Sequence, residues 1–212
     1  MFPRSTLQAR ELAVEGAFVF ASAVYPDERG FFLSPFLKSV FAETVGHPLF
    51  PVGQISYSVS RRGVVRGVHF TATPPGTAKL VCCPRGRVLD VVVDVRVGSP
   101  TFGRWDSVTL DAANRASLYL PVGVGHLFVA LEDDSMMSYT LSQEYVPENE
   151  LALSPFDPAL RLPLPDGAGG ILSDRDRAAP SLEQARSAGM LPDYRRCREL
   201  TAHFRQEPAS SW

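Results

Sequence analysis

The chain has 212 residues, a formal net charge of −2, 45% hydrophobic and 21% charged side chains. That balance excludes a disordered chain. No run of Lys/Arg exceeds two, so the basic stripe of a nucleic-acid binder is missing, and no apolar window approaches the roughly 18 residues of a membrane span. In chain order, the apolar stretch at 16–24 resembles a secretory signal, but Glu11 and Glu15 crowd its front edge and its pattern reads as a strand. Residues 35–45 are expected to form a short helix, with strand-like runs on either side through residue 145.

Those runs are short, rich in Val, Phe, Leu and Thr, and separated by Gly, Pro, Asp and Asn. The clearest spans 88–96, with Asp90, Val92, Asp94 and Arg96 on one face and Leu89, Val91, Val93 and Val95 on the other. Others fall at 117–120, 126–131 and 136–141. Many close-spaced strands predict a sandwich or barrel, and no G-x-G-x-x-G follows a strand to suggest a dinucleotide fold. Cys82 and Cys83 point to opposite sides of one strand and Cys197 stands alone, so neither a zinc site nor a disulfide framework is expected and a reducing cytoplasm fits. After residue 150 the pattern changes. A Pro/Gly/Asp-rich loop covers 155–170, a short helix covers 180–189, and Asp193 caps a second helix to about 205. The expected organisation is a β-barrel over 1–160 with a loop and helices over 161–212 packing on it.

Several side chains could carry chemistry, and each also suits a bland structural role. His69 stands near the end of a strand, where an imidazole can act as a base or make one ordinary hydrogen bond. His126 follows Pro121-Val-Gly-Val-Gly, a spacing that resembles the second motif of metal-binding cupins. The upstream H-x-H partner is missing, since Thr71 stands two residues after His69. Tyr139 shares a strand face with Met137 and Leu141 and reads as a half-buried core residue or a proton donor in a cavity. Lys79 opens an apolar strand, where it must snorkel or meet an anion. Gln54, Ser56, Ser58 and Ser60 line one strand face, toward solvent or a wet cavity. Asp176 lies in a charged loop.

Together the motifs run in order: Asp27-Glu-Arg-Gly-Phe-Phe32, Gln54-x-x-x-Ser58, Gly63-Val-Val-Arg-Gly-Val-His69, Pro75-Gly-x-x-Lys79, the run from Asp90 to Gly103, Leu120-Pro-Val-Gly-Val-Gly-His126, Tyr139 to Tyr145, and Leu172-Ser-Asp-Arg-Asp176. This pattern resembles the dTDP-4-dehydrorhamnose 3,5-epimerases and their relatives in antibiotic-sugar pathways. The resemblance implies a mainly β, cupin-like jelly roll that forms homodimers and inverts C3, C5 or both in a dTDP-4-keto-6-deoxyhexose. It implies a reaction needing no redox cofactor and no metal, and no nucleic-acid or membrane partner.

By the same resemblance His69 is the base, Asp176 its carboxylate partner, Lys79 the cation facing the enolate oxygen and Tyr139 the acid on the opposite face. Arg66, Gln54, Ser56 and Arg29 hold substrate and diphosphate, with Arg29 reaching across the dimer, and His126 is a pocket histidine. Three positions depart from the pattern: Ser34 where many members have Glu, Ser56 where many have Asn, and Leu164-Pro165 where Trp-Pro is common. The first two suggest a specialised deoxysugar enzyme and allow inversion at only C3 or only C5. The alternatives are a metal-dependent cupin enzyme and a non-catalytic sugar-nucleotide-binding relative.

Overall fold

A computed structural model describes residues 8–205, so the outer ends of both expected segments lie outside the described residues. One antiparallel sheet runs in the order β1 (Gln8–Glu11), β2 (Phe18–Ala21), β10 (Ala116–Leu120), β7 (Lys79–Arg85), β12 (Ser135–Leu141) and β5 (Gln54–Ser60). A second runs β13 (Glu150–Ala152), β6 (Val65–Thr71), β11 (Gly125–Ala130), β8 (Arg87–Val93) and β9 (Trp105–Asp111). A hairpin of β3 (Val24–Asp27) and β4 (Gly30–Leu33) stands apart from both. The two sheets face each other over a shared core, in which Val81, Leu118 and Met137 of the first meet Val88, Val92, Leu110 and Phe128 of the second. The strand spacing anticipates the two packed sheets, and the resemblance anticipates that they form a cupin-like jelly roll.

The outer face of the second sheet is also covered, and this explains the strand at 88–96. Its alternation does not divide core from solvent. Val88 and Val92 point into the barrel, whereas Val91 and Val93 point outward beneath Leu153, Leu160 and Ala185 of the chain that follows β13. The strand ends at Val93, three residues short of the expected boundary. Asp94 ends it by drawing the chain into a buried knot. Its carboxylate accepts from Arg96 Nε at 2.9 Å and Nη2 at 2.8 Å, and from the hydroxyls of Ser99 and Thr101 at 2.5 Å each. A side chain that captures nearby donors competes with the sheet ladder.

Helix α1 (Lys38–Val45) begins later than expected, after Leu37, which offers no capping side chain. The charged loop expected around Asp176 contains a helical turn, α2 (Asp174–Arg177), because Ser173 accepts from the Asp176 N–H as its N-cap. Ser181 and Gln184 form a capping box on α3 (Leu182–Ser187), and Asp193 caps α4 (Tyr194–His203). Helix α4 buries Cys197 and lays Leu200 and Phe204 beside Phe41, Phe50 and Tyr119, closing one end of the molecule. Among the described residues no helix is long and apolar enough to cross a membrane.

Candidate active site

The site is built where β6 meets β11. Their register sets His69 opposite His126, with a shift in pairing between His126 and Phe128. Gly67 makes this close approach possible, because a Cβ there would run into the backbone of His126 and Leu127 and its φ is +116°. Each histidine holds a carboxylate. His69 Nε2 lies 2.6 Å from Asp176 Oδ1, and His126 Nε2 lies 2.8 Å from Asp90 Oδ2. The Asp176 side chain also accepts from the Gly67 N–H at 3.5 Å.

Burial pushes the His69 ring below the ordinary histidine value, and the hydrogen bond and charge of Asp176 pull it partly back. Burial raises the Asp176 carboxyl, but His69, the Gly67 N–H and the Ser173 cap outweigh it and hold the group below the ordinary carboxylate range. A neutral imidazole beside an ionised carboxylate is the result. Arg175 Nη2 lies 2.9 Å from the same His69 nitrogen. A guanidinium only donates, so that nitrogen cannot serve both neighbours. The shorter contact to Asp176 assigns the proton to Nε2, leaving Nδ1 with its lone pair as the proton acceptor.

Lys79 begins β7 and is buried, with 8% of its surface exposed. Burial lowers its ammonium below the ordinary lysine value, and the charges of Glu150 and Asp90 oppose that shift. Its charge reaches His69. Tyr139, two residues from Lys79's cross-strand partner Leu141, packs edge-on against His126 with ring centroids 6.2 Å apart. Burial pushes its phenol up to about 12, and a hydrogen bond with Ser58 at 3.1 Å opposes the shift.

A cleft of about 400 Å³ opens beside these groups, lined by Ser60, Arg66, His69, Arg175 and Asp176 among others. Lys79 and Tyr139 are not among its lining residues. Arg66 Nε donates to Ser60 Oγ at 3.1 Å, which leaves the rest of the guanidinium for an anion. Gln54 donates to Ser56 at 2.6 Å and accepts from the Tyr145 N–H at 2.7 Å. Arg29 is not brought to this group: it lies at the exposed hairpin and pairs with Asp27 at 2.5 Å. Ser34 ends that hairpin, its carbonyl accepting from Ser22. Ser56, in contrast, sits directly across the ladder from Tyr139.

The sequence alone gives no role to Asp90, Ser58, Glu150 or Arg175, although Ser58 stands on the polar face of its strand. Asp90 lies among valines in a largely buried strand, where an acid needs a partner. Glu150 accepts from Thr71 at 2.9 Å and carries no local motif. Among the described residues no group of three His, Cys, Asp or Glu side chains could hold a metal ion, and His126 is engaged by Asp90 instead.

A base on an ionised carboxylate, a buried cation and a buried phenol can together take a proton from carbon, hold the charge and return a proton. That is the equipment of an isomerase acting by proton transfer. Comparison with known proteins makes the class particular. The family model described as dTDP-4-dehydrorhamnose 3,5-epimerase matches residues 11–184, and the chain belongs to that family. A dTDP-4-dehydrorhamnose 3,5-epimerase of Mycolicibacterium smegmatis is 46% identical, covering 96% of this chain and all of its own. A 4-keto-6-deoxy sugar epimerase from the novobiocin biosynthetic gene cluster of Streptomyces spheroides has a solved structure that superimposes with a TM-score of 0.87 at 44% identity, covering 93% of this chain and 98% of its own. A 3'-monoepimerase from Streptomyces bikiniensis, solved in complex with dTDP-quinovose, gives a TM-score of 0.88 at 43% identity, covering 93% of this chain and 100% of its own.

Proposed function

We propose that this protein epimerises a dTDP-4-keto-6-deoxyhexose at C3, at C5 or at both, in the making of an antibiotic deoxysugar. The observation that carries this reading is the His69–Asp176 pair, a neutral base on an ionised carboxylate at the cleft wall. A hydrogen on the carbon beside a ketone is weakly acidic. His69 Nδ1 takes it while Asp176 stabilises the imidazolium, as the acid does in a Ser-His-Asp triad. The negative charge moves to the C4 oxygen, where the Lys79 ammonium meets it. Tyr139 returns a proton from the opposite face and inverts the centre.

Arg66 binds the diphosphate through its free guanidinium edge, as bidentate recognition favours. Gln54 and Ser56 hold the sugar and nucleotide, and His126, held by Asp90, walls the pocket beside Tyr139. Arg29 acts in the site of a partner protomer, which accounts for its position away from its own cleft. The homodimer reading is supported by exposed apolar side chains: Ile55, Tyr57 and Val59 on edge strand β5, and Phe31 and Phe32 at the hairpin. An open edge with an apolar face invites pairing. Cytoplasmic residence is supported by the three free cysteines.

Overall identity does not choose between one centre and two, because double and single epimerases match this chain almost equally. Ser56 favours a specialised substrate, since it places a side chain shorter than Asn opposite the acid. Proton NMR with dTDP-4-keto-6-deoxyglucose in D₂O tests the proposal. Loss of the C3 signal, the C5 signal or both is expected, with sugar of inverted configuration accumulating. No exchange at either carbon, with this or other 4-keto deoxysugars, contradicts it.

A further inference from the structure

Strand β5 (Gln54–Ser60) has an exposed outer face at Ile55, Tyr57 and Val59, and an inner face of Gln54, Ser56, Ser58 and Ser60. Each inner serine hydroxyl meets one side chain of the site. Ser56 accepts from Gln54 at 2.6 Å and Ser60 accepts from Arg66 at 3.1 Å, so these two hold binding groups. Ser58 differs, because its partner at 3.1 Å is the Tyr139 phenol, and that oxygen changes charge in the reaction proposed above.

We propose that Ser58 is a positioning residue for the second proton transfer: its hydroxyl donates to the phenolate that Tyr139 becomes, and so sets how often the enolate is captured on the inverting face. This rests on Tyr139 as the acid. Before transfer, either hydroxyl can donate to the other. The Tyr139 O–H bond then breaks and its proton forms a C–H bond with the electron pair of the enolate. The C4 carbonyl re-forms and the negative charge passes to the phenol oxygen. From that point Ser58 is the donor, and a hydrogen bond to an ionised oxygen is shorter and about twice as strong as a neutral one. An interaction that strengthens as charge develops favours the transition state over the ground state.

The surroundings give Ser58 this weight. Burial and the charge of Asp90 oppose a phenolate at Tyr139, and the charge of Arg66 supports it from a distance. Among the described residues, Ser58 is the phenol's one hydrogen-bond partner.

The enolate has two fates. Tyr139 can protonate it with inversion, or the His69 imidazolium can return a proton with retention. In D₂O, return after exchange at His69 leaves deuterium in sugar of unchanged configuration. Ser58→Ala should slow only the inverting branch, raising the ratio of exchange with retention to inversion by about tenfold or more, at unchanged melting temperature. Ser58→Thr, which keeps the hydroxyl, should restore most of the wild-type ratio. Tyr139→Phe separates the two readings. If it inverts substrate at the wild-type rate, the acid is misassigned. If it stops inversion while Ser58→Ala keeps the wild-type ratio, Tyr139 stands and the role given to Ser58 is overturned. A fall in Ser58→Ala rate with an unchanged ratio overturns it equally.

Discussion

Two histidine–aspartate pairs face each other across one strand ladder, and they differ in where the acid comes from. Asp90 lies on β8, beside His126's own strand, and the pair is sealed in the barrel wall with side chains 5% and 0% exposed. Asp176 arrives from 107 residues away on a one-turn helix, and its histidine keeps 23% of its side chain open. The same two residue types thus make a sealed pair and an accessible one, and the accessible one is the pair proposed as the base. Access and the origin of the carboxylate decide the role, since a proton acceptor must reach the atom it deprotonates.

Breaking the open pair should have the largest effect on turnover. Asp176→Asn removes the charge that supports the imidazolium and offers the wrong partner to Nε2, so kcat should fall by about 10³- to 10⁴-fold. The melting temperature should change little, because α2 keeps its Ser173 cap. Lys79→Met comes next, with a loss of about 10²- to 10³-fold in kcat from the missing enolate partner. Stability should hold or rise, since a buried ammonium without a direct partner among the described residues is costly. A drop in melting temperature with kcat intact would reverse the roles given to Lys79.

Breaking the sealed pair should act on stability first. Asp90→Ala leaves a buried imidazole nitrogen unpartnered and should cost about 1–3 kcal/mol by denaturant unfolding. Its kcat loss should be smaller than that of Asp176→Asn. Equal losses of kcat in the two variants would erase the distinction.

The smallest effect is on pH. Burial lowers both His69 and His47 below their ordinary value. The unfolded chain then binds more protons than the folded one as pH falls through about 6.5. Stability is therefore complete above that value and declines below it, so the melting temperature should drop from pH 7 to pH 5. The acid limb of kcat/KM should lie below the ordinary histidine value for the same reason. A melting temperature that rises over that interval would contradict the sign.

Much of the barrel is legible in the sequence because its strands alternate and end at Gly, Pro and Asp turns. Helices α3 and α4 are legible through Pro180, Gly189 and Asp193, which act locally, while the Ser181 cap is added by the structure. The faces of 88–96 are not, because the C-terminal segment buries the side that would otherwise meet solvent, and alternation cannot tell two cores apart. The helical turn under Asp176 hides among charges, and only Ser173 marks it. His69 and Asp176 are legible as a pair through the family motifs alone, since no local pattern joins residues so far apart. Neither Asp90 nor Ser58 is legible: Asp90 reads as part of a polar face until the fold sets it beside His126, and a serine on a polar strand face gains meaning only when β5 is set beside β12.

The assignment of His69 as the base is the central claim, and solvent exchange by a His69→Asn protein tests it most directly. Calorimetry should show that the variant still binds dTDP, while NMR in D₂O shows no exchange at C3 or C5 over many wild-type turnovers. Exchange at the wild-type rate in a variant that binds dTDP normally would contradict the account and place the base elsewhere in the barrel.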